Sequence, residues 1–118
     1  MEIKVYYEDT DCGGVVYYAN YLKYFERART EYLEMRGCSI ADWMQRGVIF
    51  VVVHAEAHYY SAGRYGETLT IETDVADVTQ ATVTFSHVVR EKVEQSNCCE
   101  GVGSSRSHRP SWESTAPR

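Results

Sequence analysis

Apolar side chains recur in steps of four and three after residue 20, which is the spacing of one face of an α-helix. The apolar positions are Tyr21, Phe25, Ala28, Tyr32 and Met35. Polar and charged residues occupy the other side, so the pattern predicts a long helix whose apolar face packs on a core. Asn20 is a candidate N-cap, because its side chain can accept a hydrogen bond from an unpaired helix amide. Gly37 is well placed to end the helix.

Segments rich in alternating or β-branched residues flank this helix and indicate strands. Before it, Ile3 and Val5 share one face of a predicted strand over residues 2–7. After it, a short helical turn capped by Ser39 is predicted over residues 39–46, and strands over residues 48–60, 67–78 and 82–92. Alternation in the last of these strands places Val83, Phe85, His87 and Val89 on one face. One helix combined with hairpin-linked strands predicts an α+β fold, with the helix covering one face of an antiparallel sheet.

The alternating pattern stops near Lys92. Residues 93–118 carry scattered serines, arginines and both prolines of the chain, without alternation. This composition is typical of a disordered tail. We therefore expect a domain over residues 1–92 and an atypical tail over residues 93–118. A slip of the reading frame near Lys92 is one explanation for the abrupt loss of pattern, and a divergent tail is the other.

Size, charge and cysteine content narrow the class of protein. A chain of 118 residues is long enough for one domain with a core, and its net charge of −5 argues against a nucleic-acid partner. There is no long apolar run and no basic-then-apolar leader, so the sequence predicts neither a membrane span nor a signal peptide. The four cysteines lack paired C-x-x-C spacing, which favours a reduced, cytoplasmic location.

Two features suggest metal or thiol chemistry, but neither has the spacing or partners it needs. His54 and His58 are four residues apart in a predicted strand, about 13 Å, which is too far to share one zinc ion easily. We therefore predict that both are ordinary strand residues and that the chain holds no metal. Cys12 adjoins Asp11, but no histidine or other cation is near it in sequence to stabilise a nucleophilic thiolate.

The turn before the helix is the best candidate for chemistry. It carries Asp9 and Asp11, followed by Gly13 and Gly14, whose backbone freedom permits a close turn or the close approach of a ligand. An aspartate is ionised at neutral pH, so it can deprotonate water or attack a carbonyl directly. The nearby helix N-terminus offers backbone amides to a carbonyl oxygen. For Asp9 we favour a structural role, in which the carboxylate bonds its own turn.

Residues 7–31 resemble the signature of the hotdog-fold acyl-CoA thioesterases, with the run YEDTDCGGVVYYANYLKYFERARTE. The run is most similar to the branch of 4-hydroxybenzoyl-CoA thioesterase and the Tol-Pal-associated thioesterases. A second segment, YSAGRYGETL at residues 60–69, resembles another landmark of the family. The resemblance extends from about Ile3 to Lys92. Beyond Lys92 it implies another long strand, which the pattern of residues there does not supply. It implies a hotdog fold, with one long helix packed on an antiparallel sheet, and hydrolysis of acyl-CoA or carrier-bound acyl thioesters to free acid and thiol.

The resemblance also implies site residues. Asp11 matches the catalytic carboxylate, which acts as base or nucleophile, and Tyr7 matches the tyrosine four residues before it. Tyr18 matches the position whose backbone amide faces the thioester oxygen; the Tol-Pal-associated branch usually has histidine there. No cofactor is implied beyond the CoA of the substrate. The positions that bind CoA phosphates in the hydroxybenzoyl enzyme fall near residues 79–81, which are neutral here, so Arg64 and Arg90 are the candidates for CoA.

The resemblance further implies a homodimer or homotetramer with sites at the subunit interface. Two other functions stay open at this point. The neutral CoA positions and the altered tail are also compatible with a non-catalytic acyl-thioester binding protein or scaffold. A dehydratase of the same fold is a weaker third interpretation, because the catalytic residues that it would need are not seen.

Overall fold

The computed structural model describes residues 1–79 and 82–108, which form a five-stranded antiparallel sheet with a long helix packed across it. The strands are β1 (Glu2–Lys4), β2 (Ile49–Tyr59), β3 (Thr68–Val78), β4 (Thr82–Glu91) and β5 (Asn97–His108). The helices are α1 (Asn20–Met35) and α2 (Ile40–Gln45). The strand order is β1-β3-β4-β5-β2, which confirms the predicted α+β architecture. No helix in these two ranges is long and apolar enough to cross a membrane.

Both predicted boundaries of α1 are close to the observed ones, but its N-terminus is built differently. The left-handed Gly37, with φ 80°, follows the last turn and ends the helix as predicted. The prediction of Asn20 as N-cap is wrong, because the cap position is Ala19, which makes no side-chain cap. Asn20 is the first helical residue, and its Nδ2 donates to the carbonyl oxygen of Asp9 at 2.8 Å. This bond fastens the polar turn to the first turn of α1.

The core lies between α1 and one face of the sheet. The predicted stripe is correct at Tyr21, Phe25 and Ala28, whereas Met35 is exposed and Tyr24 is buried instead. Phe85, His87 and Val89 share the buried face of β4, as their alternation predicts. The other buried core residues include Ile3, Val5, Val16, Leu69 and Ile71. Ser39 caps α2 as predicted, since its Oγ accepts from the Asp42 amide at 3.3 Å.

The largest difference from the sequence prediction is β5. This strand pairs with β4 on one side and β2 on the other, so the expectation of an atypical tail is wrong for residues 97–108. The strand was missed because its buried face carries small residues rather than large apolar ones: Cys99, Gly101, Gly103 and Ser105. A Cβ on Gly101 would collide with the Phe25 ring, so small residues let α1 lie this close to the sheet. The reading-frame slip stays a prediction, and residues 109–118 lie outside the described residues.

Candidate active site

Residues 9–16, which we name the aspartate loop, form a tight turn held by their own backbone. The Asp11 amide donates to the Val15 carbonyl at 2.9 Å, and the Gly14 amide donates to the Asp11 carbonyl at 3.2 Å. Thr10 forms an antiparallel bridge with Val16. Gly14 has φ 78°, a backbone conformation that residues other than glycine adopt only with strain. The loop therefore presents Asp11 in a fixed backbone setting.

The Asp11 carboxylate is exposed, and only one of its oxygens is held. Its Oδ1 accepts from the Gly13 amide at 2.8 Å. A Cβ at Gly13 would lie 3.2 Å from the same oxygen, so glycine leaves room for the carboxylate there. The other oxygen has no hydrogen-bond partner among residues 1–79 and 82–108. This arrangement orients the carboxylate and leaves one oxygen free to bind water or a substrate.

Asp9 lies in the same loop but serves the backbone. Its Oδ2 accepts from the Tyr6 amide at 3.0 Å. Its carbonyl oxygen accepts from the Tyr17 amide at 2.9 Å and from Asn20 Nδ2 at 2.8 Å. These contacts bear out the structural role favoured for Asp9, because its carboxylate bonds the turn and its carbonyl connects the loop to α1.

Two free backbone donors lie at the start of α1. The amides of Asn20 and Tyr21 donate to the carbonyls of residues 17 and 18, at 2.8 and 3.3 Å. The amides of Tyr18 and Ala19, by contrast, have no acceptor in the part of the chain that the structure describes. The N-terminal end of a helix also carries the positive end of its dipole. These two amides can therefore receive an oxygen atom that gains negative charge.

The two tyrosines predicted for the site, Tyr7 and Tyr18, are exposed, and their rings pack against different aromatic residues. The Tyr7 ring is 5.9 Å from that of Tyr65, measured between centroids. The Tyr18 ring lies 4.8 Å from Tyr17 and 6.1 Å from Tyr59. The Tyr59 hydroxyl donates to the Tyr18 carbonyl at 3.2 Å. Sequence reasoning missed this contact, since Tyr59 lies on β2 and no local pattern relates the two residues.

The two arginines proposed for CoA occupy different places. Arg64 forms an antiparallel bridge with Val15, beside the aspartate loop, and its guanidinium has no partner among the described residues. Arg90 lies on the sheet face opposite α1, where its Nη1 pairs with Glu72 Oε1 at 2.8 Å and its Nε donates to Asn97 Oδ1 at 3.1 Å. The structure brings only Arg64 to the loop. Of the neutral positions near the expected CoA contacts, Gln80 and Ala81 lie outside the described residues.

His54, His58 and the four cysteines lie in ordinary structural environments. His54 and His58 are residues of β2, as predicted, and His54 Nε2 is 3.0 Å from Glu56 Oε1. All four cysteines are free, with Cys12 and Cys38 exposed and the other two buried. Burial raises the pKa of Cys99 to about 12, which keeps this thiol protonated. Across residues 1–79 and 82–108, no cluster of three or more histidine, cysteine or acidic residues could hold a metal ion.

Comparison with known proteins gives a consistent result. The family profile described as "Thioesterase superfamily" matches residues 13–98. The acyl-CoA thioesterase YbgC of Haemophilus influenzae is 44% identical over 84 residues, which cover 70% of this chain and 62% of that protein. The acyl-CoA thioester hydrolase YbgC of Escherichia coli O157:H7 is 40% identical over 84 residues, with coverages of 71% and 63%. The chain thus spans less than two thirds of the length of these relatives.

Solved structures show the same architecture. The DHNA-CoA thioesterase from Staphylococcus aureus superposes with a TM-score of 0.89 at 26% identity, covering 98% of this chain and 74% of that one. The hypothetical protein TT1821 from Thermus thermophilus superposes with a TM-score of 0.87 at 29% identity, with coverages of 92% and 83%.

Proposed function

Because this chain belongs to the thioesterase superfamily and has the hotdog fold, we propose that it hydrolyses acyl-CoA or carrier-bound acyl thioesters to the free acid and the thiol. One observation carries the proposal. The Asp11 carboxylate has one oxygen without a partner among the described residues, and the amides of Tyr18 and Ala19 have no acceptor there. The hydrogen bond from Asn20 Nδ2 to the Asp9 carbonyl connects the loop that carries Asp11 to the start of α1, where these amides lie. The names of the YbgC relatives support CoA as the thiol.

Asp11 supplies the attack on the thioester. As a general base it takes a proton from water while the water oxygen attacks the carbonyl carbon. As a nucleophile it attacks that carbon itself, and water then hydrolyses the resulting anhydride. Both routes release the thiol and the free acid. We favour the general base, because water is always present and no anhydride has to be protected.

The backbone amide of Tyr18 stabilises the oxyanion that forms on the carbonyl oxygen. One such donor contributes about 3–4 kcal/mol in acyl transfer, because it is already oriented when the charge appears. The Tyr59 hydroxyl donates to the Tyr18 carbonyl, which shares a peptide group with the Ala19 amide, and so helps to hold this second donor in place. Burial raises the pKa of Tyr59, which keeps its hydroxyl protonated and able to donate. We assign Tyr7 to the rim of the site, where its exposed ring packs with Tyr65.

CoA enters this proposal as part of the substrate, and no separate cofactor is required. We propose that Arg64 binds its phosphates, because the guanidinium is unpaired and adjoins the aspartate loop. Arg90 is the weaker candidate, since its guanidinium is already bonded to Glu72 and Asn97.

Four free cysteines are compatible with a reduced, cytoplasmic location.

A panel of acyl-CoAs with a thiol-detecting reagent tests the proposed activity. Saturable release of thiol from at least one member is the expected result. If the chain binds acyl-CoA without releasing thiol, the hydrolase assignment fails and the non-catalytic binding protein replaces it.

Replacing Tyr18 with phenylalanine should change turnover by well under tenfold, a factor that corresponds to about 1.4 kcal/mol. The substitution removes a hydroxyl but keeps the backbone amide, which is the group assigned to the oxyanion. The matched control is Tyr17→Phe, which removes a hydroxyl from the ring packed against Tyr18. A loss of a hundredfold or more in Tyr18→Phe alone would show that the hydroxyl takes part in the reaction.

We also propose that the chain assembles at least as a homodimer, or as a homotetramer built from such dimers, through β2. This strand is an edge of the sheet and is 11 residues long. Its valines are exposed, with Val51 at 44% and Val53 at 50%. A long apolar edge strand invites pairing with another chain, because its outer backbone groups lack partners.

Light scattering at micromolar concentration should therefore give at least twice the 13.5 kDa chain mass. Val53→Lys should shift the protein toward monomer, because a charge would have to be buried in the interface. Val78→Lys is the control, since Val78 is exposed at the end of β3, away from the β2 edge. A wild-type monomer that retains activity would contradict the proposed assembly.

A further inference from the structure

The hydroxyl group of Tyr24 is buried in the core without a hydrogen-bond partner. Tyr24 lies on α1 and is 1% exposed, and its ring meets that of Tyr21 edge to face with centroids 5.8 Å apart. Its Oη is one of only two buried side-chain nitrogen or oxygen atoms that lack a partner in residues 1–79 and 82–108, the other being Nε2 of His87. Burying a hydroxyl without a hydrogen bond is unfavourable, so such a group in a folded protein calls for an explanation.

Asp9, in the aspartate loop, provides the acceptor that this hydroxyl lacks. Its Oδ2 accepts from the Tyr6 amide at 3.0 Å, whereas its Oδ1 has no hydrogen-bond partner among the described residues. Burial raises the pKa of Tyr24, and the nearby carboxylate of Asp9 raises it further, while the charge of the exposed Arg27 acts in the opposite direction. A donor without an acceptor and an acceptor oxygen without a donor therefore lie next to each other.

The same helix already holds Asp9 at a second point. Asn20 lies one turn before Tyr24 on α1, so the two side chains project from the same side of the helix. Asn20 Nδ2 donates to the Asp9 carbonyl at 2.8 Å. The loop that follows is fixed by its own backbone, which includes the bond from the Asp11 amide to the Val15 carbonyl at 2.9 Å. The placement of Asp9 against α1 therefore sets the placement of Asp11 two residues later.

We propose that Tyr24 is a positioning residue for the reaction, whose hydroxyl donates to Oδ1 of Asp9 and so fixes the aspartate loop against α1. Neither group has to give up another hydrogen bond to form this one. Because Tyr24 is buried, it acts through Asp9 on where Asp11 lies relative to the free amides before α1. The inference rests on the proposed thioester hydrolysis and adds to that site a residue from the core.

Tyr24→Phe removes the hydroxyl and keeps the ring, so the sign of its effect on stability tests the contact. Loss of a bond to Asp9 should lower the midpoint of urea unfolding, whereas loss of an unpaired hydroxyl should leave the midpoint unchanged or raise it. In an Asp9→Ala protein, the same substitution should not lower the midpoint. A midpoint that Tyr24→Phe leaves unchanged or raises in the wild type, or lowers equally in both backgrounds, would overturn the contact.

Steady-state thiol release from an acyl-CoA measures the effect on the reaction. Tyr24→Phe should lower kcat by at least about fivefold and leave KM within about twofold, because a displaced catalytic group slows the reaction while the surface that binds substrate is unchanged. In the Asp9→Ala protein, the same substitution should lower kcat little further, since the contact is already absent. This non-additivity separates a positioning role from a general loss of packing.

If Asp9→Ala does not fold, Asp9→Asn takes its place in both measurements. A neutral acceptor makes a weaker hydrogen bond than a carboxylate does, so the effects of Tyr24→Phe should then be smaller than in the wild type. Effects as large as those in the wild type would overturn the proposal.

The matched control is Tyr32→Phe, which removes a hydroxyl from the same helix about two turns later, where the ring packs edge to face on Phe85. It should leave kcat unchanged. If the wild type hydrolyses acyl-CoA and Tyr24→Phe keeps the kcat of Tyr32→Phe, the positioning role is overturned while the hydrolase assignment stands. A wild type that releases no thiol would overturn the hydrolase assignment and the positioning role with it, and the unfolding midpoints would still decide the contact between Tyr24 and Asp9.

Discussion

Replacing Asp11 with asparagine should lower kcat by about 10²-fold to 10⁴-fold, the range over which a general base typically contributes. The amide side chain keeps the shape and can still accept from the Gly13 amide, as Oδ1 of Asp11 does at 2.8 Å. It carries no negative charge, so water activation and direct attack both fail. Substrate binding should survive, because the helix end and its amides are unchanged.

Steady-state thiol release from an acyl-CoA gives kcat and KM for this comparison. The matched control is Asp9→Asn, which makes the same change two residues earlier, where the carboxylate bonds the Tyr6 amide. Asparagine can accept that bond too, so Asp9→Asn should keep kcat within tenfold of the wild type. An Asp11→Asn protein with near wild-type turnover would end the assignment of Asp11.

A single turnover in water labelled with heavy oxygen separates the two routes open to Asp11. Label that enters the Asp11 carboxylate means that an anhydride formed and was hydrolysed. Label found only in the released acid means that water attacked the acyl carbon, as it does when Asp11 acts as a general base, and this is the outcome we expect.

The protein should lose stability as the pH falls from 6.5 to about 4, with His87 as a principal cause. His87 is 1% exposed and stacks on Phe25, with ring centroids 4.7 Å apart. Its Nδ1 lies 3.0 Å from the Thr73 hydroxyl, while Nε2 has no partner in the described residues. Burial, aided by the charge of Arg29, lowers the pKa of His87 from 6.5 to about 4.

The direction of this effect follows from which state binds the proton first. The folded pKa of His87 lies below the unfolded one, so the unfolded chain is protonated first as the pH falls. The stability gained from neutral His87 is therefore fully present above pH 6.5 and declines until the pH reaches about 4. At about 1.4 kcal/mol per pKa unit, the decline is on the order of 3 kcal/mol.

Urea unfolding at a series of pH values between 7 and 4 measures this decline. His87→Phe keeps a flat ring against Phe25 and removes the titrating group, so its free energy of unfolding should fall less over the same interval. The control is His58→Phe, because His58 lies exposed on β2. Subtracting the variant curve from the wild-type curve removes the contribution of carboxylates that titrate near pH 4. Identical slopes in the wild type and His87→Phe would contradict the prediction.

Several features of this protein are determined by short stretches of its sequence. The period of apolar residues after Asn20 defined α1, and Gly37 ended it, because a helix and its termination depend on residues within a few turns. Alternation likewise predicted β3 and β4, including the shared buried face of Phe85, His87 and Val89. The aspartate loop was found in the same way, from two aspartates and two glycines between a strand and a helix. Its match to a family signature then singled out Asp11.

Only the tertiary structure decided the features that depend on residues far apart in the chain. β5 is a strand because β4 and β2 satisfy its backbone on both sides, and its Gly101 leaves the space that the Phe25 ring occupies. The contact between Tyr59 and Tyr18 and the different surroundings of Arg64 and Arg90 follow from how the strands are ordered. A sequence pattern records local periodicity, whereas pairing, burial and charge compensation are properties of the packed chain.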